Sequence, residues 1–198
     1  MRLENSMTMN AVMASTNQRK KIHPYKFILW VAIGSIIMMF AGFTSAYIVK
    51  REQPGWISFS MPVIFWYSTG VIVLSSILMQ LAVSSFKSRD MGRYRNLVGL
   101  TTCLGIVFII LQTIGYWQLN RAGIKVEGSG AGVFFIIIFG LHALHVLGGV
   151  IALLALFFRS LSSRRRSYNV VPVEVAGTYW HFVDLLWIYL FVFFILIQ

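Results

Sequence analysis

The chain has 198 residues, is 58% hydrophobic and carries a formal net charge of +11, yet only 12% of its residues are charged. A soluble domain would carry about twice that share of charge. Here the charges sit in short clusters between long uncharged runs, which is the pattern of a polytopic membrane protein. Because the basic residues lie between the runs, they read as topology signals and anionic-lipid contacts, which excludes a nucleic-acid site.

Residues 1–25 form a polar tail to which no fold is assigned. The remainder, 26–198, reads as one membrane domain with spans over about 27–49, 62–84, 96–119, 132–158 and 175–197, each near the roughly 20 residues that cross a bilayer. The first run is too long, and starts too far along, for a cleaved signal peptide. It follows His23-Pro24, where proline is tolerated in an opening turn. Its Gly34, Ser35, Ala41, Gly42, Ser45 and Ala46 are expected to let neighbouring helices approach closely. It contains no acid. Lys50 to Trp56 closes it with a turn and an interfacial tryptophan.

The second span opens at Met61-Pro62 and places Trp66 and Tyr67 at its outer end. Ser68, Thr69, Ser75, Ser76 and Gln80 are read as packing residues that bond their own backbone or a neighbour, a solute path being the other reading. In the third span Tyr116, Trp117 and Gln118 suit the outer interface. Gln112 lies deeper and requires a partner, because an unpaired amide in hydrocarbon is costly. Cys103 is the single cysteine; it excludes a disulfide frame and reads as a small packing residue.

The fourth span carries Gly140-Leu141-His142-Ala143-Leu144-His145-Val146, with both histidines on one face. Gly148, Gly149 and Ala152 add a close-approach surface, and Arg159 ends the span. The last span follows Glu174 and contains Tyr179-Trp180-His181-Phe182-Val183-Asp184-Leu185-Leu186-Trp187. A mid-helix aspartate costs about 2.5–3.5 kcal/mol on insertion scales, so Asp184 is expected to face protein or water. His181 and Asp184 are three apart and Glu174 lies seven before His181, which places all three near one stripe.

Arg2, Arg19, Lys20, Lys21 and Lys26, then Lys87, Arg89, Arg93 and Arg95, then Arg159, Arg164, Arg165 and Arg166 fall on one side of the membrane. Only Lys50, Arg51, Arg121 and Lys125 of the 17 basic residues fall on the other. The positive-inside rule then puts the N-terminus in the cytoplasm and the C-terminus in the periplasm. The expected fold is therefore all-α, a polytopic bundle of five transmembrane helices.

His142, His145, His181 and Asp184 are read as an intramembrane polar cluster tying the last two helices together. Depth agrees, since Asp184 is about ten residues into its helix and His145 about thirteen, a difference of roughly 5 Å. Haem or metal ligation and a proton relay are the competing readings; no metal site is assigned. Arg159 and Glu174 share the cytoplasmic edge, where the arginine has either a lipid phosphate or Glu174 as its partner.

Glu174 with Tyr179–Trp187 resembles the final helix of subunit III of the haem–copper cytochrome c oxidases, and Gly140–Val146 resembles the helix before it. The spacings from His145 to Arg159 and from Arg159 to Glu174 follow the same pattern. Phe40-Ala41-Gly42-Phe43 and Gln112 match more weakly. The resemblance covers about Lys26 to Gln198, the last five of the family's usual seven helices, as in many bacterial members. It departs at Ile36 and Gly115, where the family often carries acids.

The resemblance implies a non-catalytic accessory subunit of an oxidase complex in the bacterial cytoplasmic (inner) membrane. Such a subunit packs on catalytic subunit I, holds phospholipid and supports proton uptake, while haem and copper reside in partner subunits and no cofactor resides on this chain. His145, Arg159 and Glu174 would then lie near lipid headgroups or the inter-helix polar cluster, and His142, His181 and Asp184 would stabilise the bundle. Subunit III of a quinol oxidase and the accessory subunit of nitric oxide reductase are alternatives within the same reading. A stand-alone small transporter is the alternative from another class; the inverted repeats it calls for are not found.

Overall fold

The structure is a computed structural model that describes residues 24–52, 61–121, 130–161 and 169–197. The polar tail through His23, and Trp56, Lys125 and Arg164 to Arg166, lie outside the described residues. Among the described residues five α-helices follow one another: α1 (Pro24–Arg51), α2 (Ile64–Lys87), α3 (Met91–Arg121), α4 (Gly130–Leu161) and α5 (Val171–Leu196). All five are long and apolar enough to cross a membrane. Met38, Leu144, Ile151 and Leu185 are exposed on the outer surface, as lipid-facing side chains are.

The helices outrun their apolar runs because local chemistry extends them. α3 begins at Met91, ahead of the expected start at 96, because Asp90 caps it by accepting the Arg93 N–H at 3.1 Å. The tight turn from α2 closes through Ser88 N–H to Ser84 O at 3.0 Å and Asp90 N–H to Ser85 O at 3.1 Å. Arg89 takes the left-handed conformation there, with φ of 61°. α5 begins at Val171, whose N–H is accepted by Asn169 Oδ1 at 3.1 Å, with Pro172 in the first turn where it displaces no helical hydrogen bond.

In space the helices form a ring in the order α1, α4, α3, α2, α5 and back to α1, with α4 and α5 also touching across it. Among the described residues α1 packs on α4 and α5 and nowhere touches α2. The groove this leaves over α5, between α1 and α2, holds much of the chain's polar chemistry. α1 turns Ile33, Phe40, Thr44 and Tyr47 inward, which puts Gly34 and Gly42 on its outer side with open space around them. The expected close approach at these glycines is therefore not made among the described residues. Cys103 is exposed, contrary to its reading as a packing residue, because α3 turns Thr101, Thr102, Gly105 and Phe108 inward instead.

Close approach occurs around one tryptophan. Trp180 is fully buried and reaches from α5 across the ring. A Cβ on Gly105 of α3 would lie 2.8 Å from its ring, and one on Gly149 of α4 would lie 3.0 Å from it. The indole thus occupies the space that two glycines vacate. A second tryptophan, Trp187, packs edge-on against Phe108 and Phe139 with centroids 5.4 Å away in each case.

Candidate functional site

The apolar core gives way to polar contacts along the line where α2 meets α5. Thr69, Ser75, Ser76 and Gln80 of α2 recur at helical spacing on the face toward α5, and each finds a named partner. Thr69 Oγ1 accepts the Trp187 indole N–H at 3.0 Å, and Ser75 Oγ accepts the Trp180 indole N–H at 3.0 Å. Ser76 Oγ and His181 Nδ1 are 2.6 Å apart; His181 Nε2 and Gln80 Oε1 are 3.2 Å apart. Position numbers rise on α2 as they fall on α5, so the two helices run antiparallel. Side-chain hydrogen bonds in membranes average about 0.6 kcal/mol, so the four together are enough to fix register.

Asp184 is one helical turn beyond His181 on the same face, and only 3% exposed. The Ser76 hydroxyl lies beside its carboxyl group, but neither carboxyl oxygen has a hydrogen bond of good geometry. His142, 1% exposed, is held by rings alone: its centroid is 5.4 Å from that of Trp187 and 6.4 Å from that of Phe108. Both of its ring nitrogens lack a hydrogen-bond partner. His145 Nδ1 donates to Leu141 O at 2.6 Å, one turn back on its own helix, and Phe40 of α1 packs edge-on against it.

The four cluster residues are therefore distributed as follows. His181 and Asp184 share the α2–α5 line, His142 faces the aromatic core between α3 and α5, and His145 sits where α1 meets α4. Among the described residues no hydrogen bond joins any two of them, and no three His, Cys, Asp or Glu side chains converge as metal ligands. The direct tie between α4 and α5 is instead the Tyr179 hydroxyl donating to His145 O at 3.1 Å. Gln112 meets its requirement for a partner by donating to Ser68 Oγ at 2.9 Å, while its Oε1 stays unpaired.

Glu174 is the electrostatic centre of the basic end. Its two oxygens take one lysine each, Lys26 of α1 and Lys87 of α2, both at 2.8 Å. Arg159 is exposed and makes no ion pair with Glu174. Lys26 and Lys87 were not singled out in the sequence as partners of the acid. The signal available was the need to neutralise a carboxylate at a helix start with two charges from the same side of the membrane. Below the ion pairs the groove opens into a cleft of about 400 Å³, lined by Trp30, Gln80, Val83, Gly177, Thr178 and His181 among others.

These features define a class of protein: a five-helix integral membrane bundle whose buried polar groups sit along helix contacts. Comparison with known proteins supplies the family. Residues 25–197 match the family described as cytochrome c oxidase subunit III, and the chain belongs to that family. It is 33% identical over 174 residues to the probable cytochrome c oxidase subunit 3 of Nocardia farcinica, covering 83% of this chain and 82% of that one. It is 30% identical over 175 residues to cytochrome c oxidase subunit 3 of Corynebacterium diphtheriae, covering 82% and 85%. A Bacillus relative of the same description is 28% identical over 172 residues, covering 84% and 83%.

Proposed function

We propose that this chain is the accessory subunit III of a haem–copper cytochrome c oxidase in a bacterial cytoplasmic membrane. The observation that carries this reading is the match to the family over residues 25–197. In this reading the chain packs against catalytic subunit I, supports proton uptake and holds phospholipid, while the redox centres reside in partner subunits. The N-terminus lies in the cytoplasm, which puts the end that carries Lys26, Lys87, Arg159 and Glu174 on the cytoplasmic side. Lipid headgroups there meet the exposed guanidinium of Arg159, a bidentate phosphate ligand, with Glu174 at the same end; His145, 14 residues and about 21 Å back along α4, lies deeper, on the acyl-chain side of that edge. His142, His181 and Asp184 serve the bundle itself.

Purification in mild detergent through a tag on this chain tests the reading. Haem a-type absorbance, copper and a large catalytic subunit co-purifying with the tag are the expected result. Recovery of a colourless chain without partners would overturn it.

A further inference from the structure

We propose that the cavity between α3 and α4 is a binding site for a small membrane-borne alcohol, a ring-sized apolar molecule whose one hydroxyl is taken up by His142 and Gln112. The cavity measures about 230 Å³, and both side chains line it. They are only 1% and 7% exposed, and each keeps polar atoms that have no partner among the described residues. His142 is placed by ring contacts to Trp187 and Phe108, so neither nitrogen is spent on holding it. Whichever tautomer the neutral imidazole takes, one nitrogen carries a hydrogen and the other a lone pair. The Gln112 amide has two polar ends, and Ser68 engages one of them at 2.9 Å. With the amide turned either way, its other end is free. Buried polar groups left without a partner are costly. A hydroxyl both donates and accepts, so it meets the imidazole in either tautomer and the amide in either orientation.

The rest of the wall sets the size and polarity of the occupant. Phe108, Ile109, Ile136, Phe139 and Val146 make it apolar. Water needs two to four polar partners per molecule and finds them only beside His142 and Gln112. A cavity of about 150 Å³ takes benzene, so this larger one takes a ring with a short substituent, to which the two phenyl rings offer edge-on contact. The mouth is formed by Thr113, Gly140 and Ala143, all exposed. A Cβ on Gly140 would meet nothing within 4 Å, and the Thr113 hydroxyl is already spent on Ile109 O at 2.9 Å. The mouth is therefore open and apolar, as a trailing alkyl chain requires. It also lies along the helices and not at their ends. Gln112 is nine residues from the end of α3 and His142 twelve from the start of α4, about 14 and 18 Å. At that depth the occupant arrives through the hydrocarbon of the bilayer. The site goes beyond the subunit reading above and uses none of His145, Arg159 and Glu174, so either can fail alone.

Photolabelling of the intact purified complex tests this, with a phenol that carries a diazirine on a para alkyl chain as the probe. Label is expected on α3 and α4 beside the cavity. Excess 4-hexylphenol should suppress it, whereas hexylbenzene, the same shape without the hydroxyl, should need about tenfold more. His142→Phe keeps a ring against Trp187 and removes both nitrogens. It and Gln112→Met should each weaken competition by 4-hexylphenol about tenfold and leave that by hexylbenzene unchanged. Gly140→Phe fills the mouth from a position with open space and should abolish the suppressible label, which keeps the test decisive if a polar variant does not assemble. Equal suppression by the two competitors would overturn the proposal, as would a preference for the phenol that both polar variants retain. Absence of any suppressible label, as from a cavity filled by water or closed by another subunit, would overturn it too.

Discussion

Gly105→Ala sets two magnitudes of opposite sign against each other. Within a helix, alanine is favoured over glycine by about 0.8–1 kcal/mol, so propensity alone stabilises the variant. The new methyl group, however, would lie 2.8 Å from Trp180 Cη2, and 3.2 Å from both Trp180 Cζ2 and Val150 Cγ2. The indole cannot retreat toward α4, where Gly149 already approaches it at 3.0 Å, measured from a Cβ built on that glycine. Nor can it slide along α2 without breaking the 3.0 Å bond from its N–H to Ser75. Overpacking of this kind costs about 1–3 kcal/mol, so the net result is a loss of up to about 2 kcal/mol. Thermal release of this subunit from the purified complex measures it. Gly34→Ala, where a Cβ meets nothing within 4 Å, should release no earlier than the native chain. In a Trp180→Leu background the penalty of Gly105→Ala should shrink, because the nearest obstacle is gone and only Val150 Cγ2 at 3.2 Å remains. An equal penalty in both backgrounds, or a gain in the native one, would refute the packing argument.

Four further outcomes follow from the same geometry. Thr69→Val removes the acceptor of the Trp187 indole N–H and leaves a buried donor unpaired, a loss of about 1 kcal/mol that appears as earlier thermal release; unchanged release would count against that bond. Lys26→Ala and Lys87→Ala should each cost well under about 1 kcal/mol, since both lysines are substantially exposed. Because they share Glu174, the double variant should lose more than the two single losses combined, and strict additivity would contradict a shared anchor. Arg159→Ala should lower the phospholipid retained by the purified complex, read by mass spectrometry of extracted lipid, with unchanged lipid as the opposing result. His181→Ala should reduce retention of this subunit more than it reduces oxygen consumption by complexes that keep it; normal retention with abolished turnover would refute a bundle-stabilising role.

Faces were legible in the sequence to a degree that neighbours were not. Five apolar runs of spanning length, separated by basic clusters, were enough to place five helices. The pattern of Ser68, Thr69, Ser75, Ser76 and Gln80 marked a polar side on α2, and the cost of burying Asp184 marked an inward side on α5. Periodicity along one helix, however, carries no information about which helix lies opposite. Glu174 shows the consequence: its partners are Lys87 of α2 and Lys26 of α1, residues otherwise readable only as topology signals. His142 and His145 share a helix face, yet one enters an aromatic stack and the other bonds the carbonyl one turn back. Imidazole serves both environments, so residue type alone did not separate them. Gly105 became informative only once Trp180 was seen against it.

The placement of α1 has a consequence for biosynthesis. Among the described helices α1 docks only on α4 and α5, both made after it, and its ion pair joins positions 148 residues apart. At about 5–20 residues per second, α1 waits roughly 7–30 seconds for Glu174 to be translated. For most of that interval, until α4 is made, it has no docking partner among the described helices, and its span carries no acidic residue that lipid would have to solvate. The ring closes when α5 enters beside it, so a chain that stalls before α5 leaves α1 with α4 alone, without Glu174 or its second docking face.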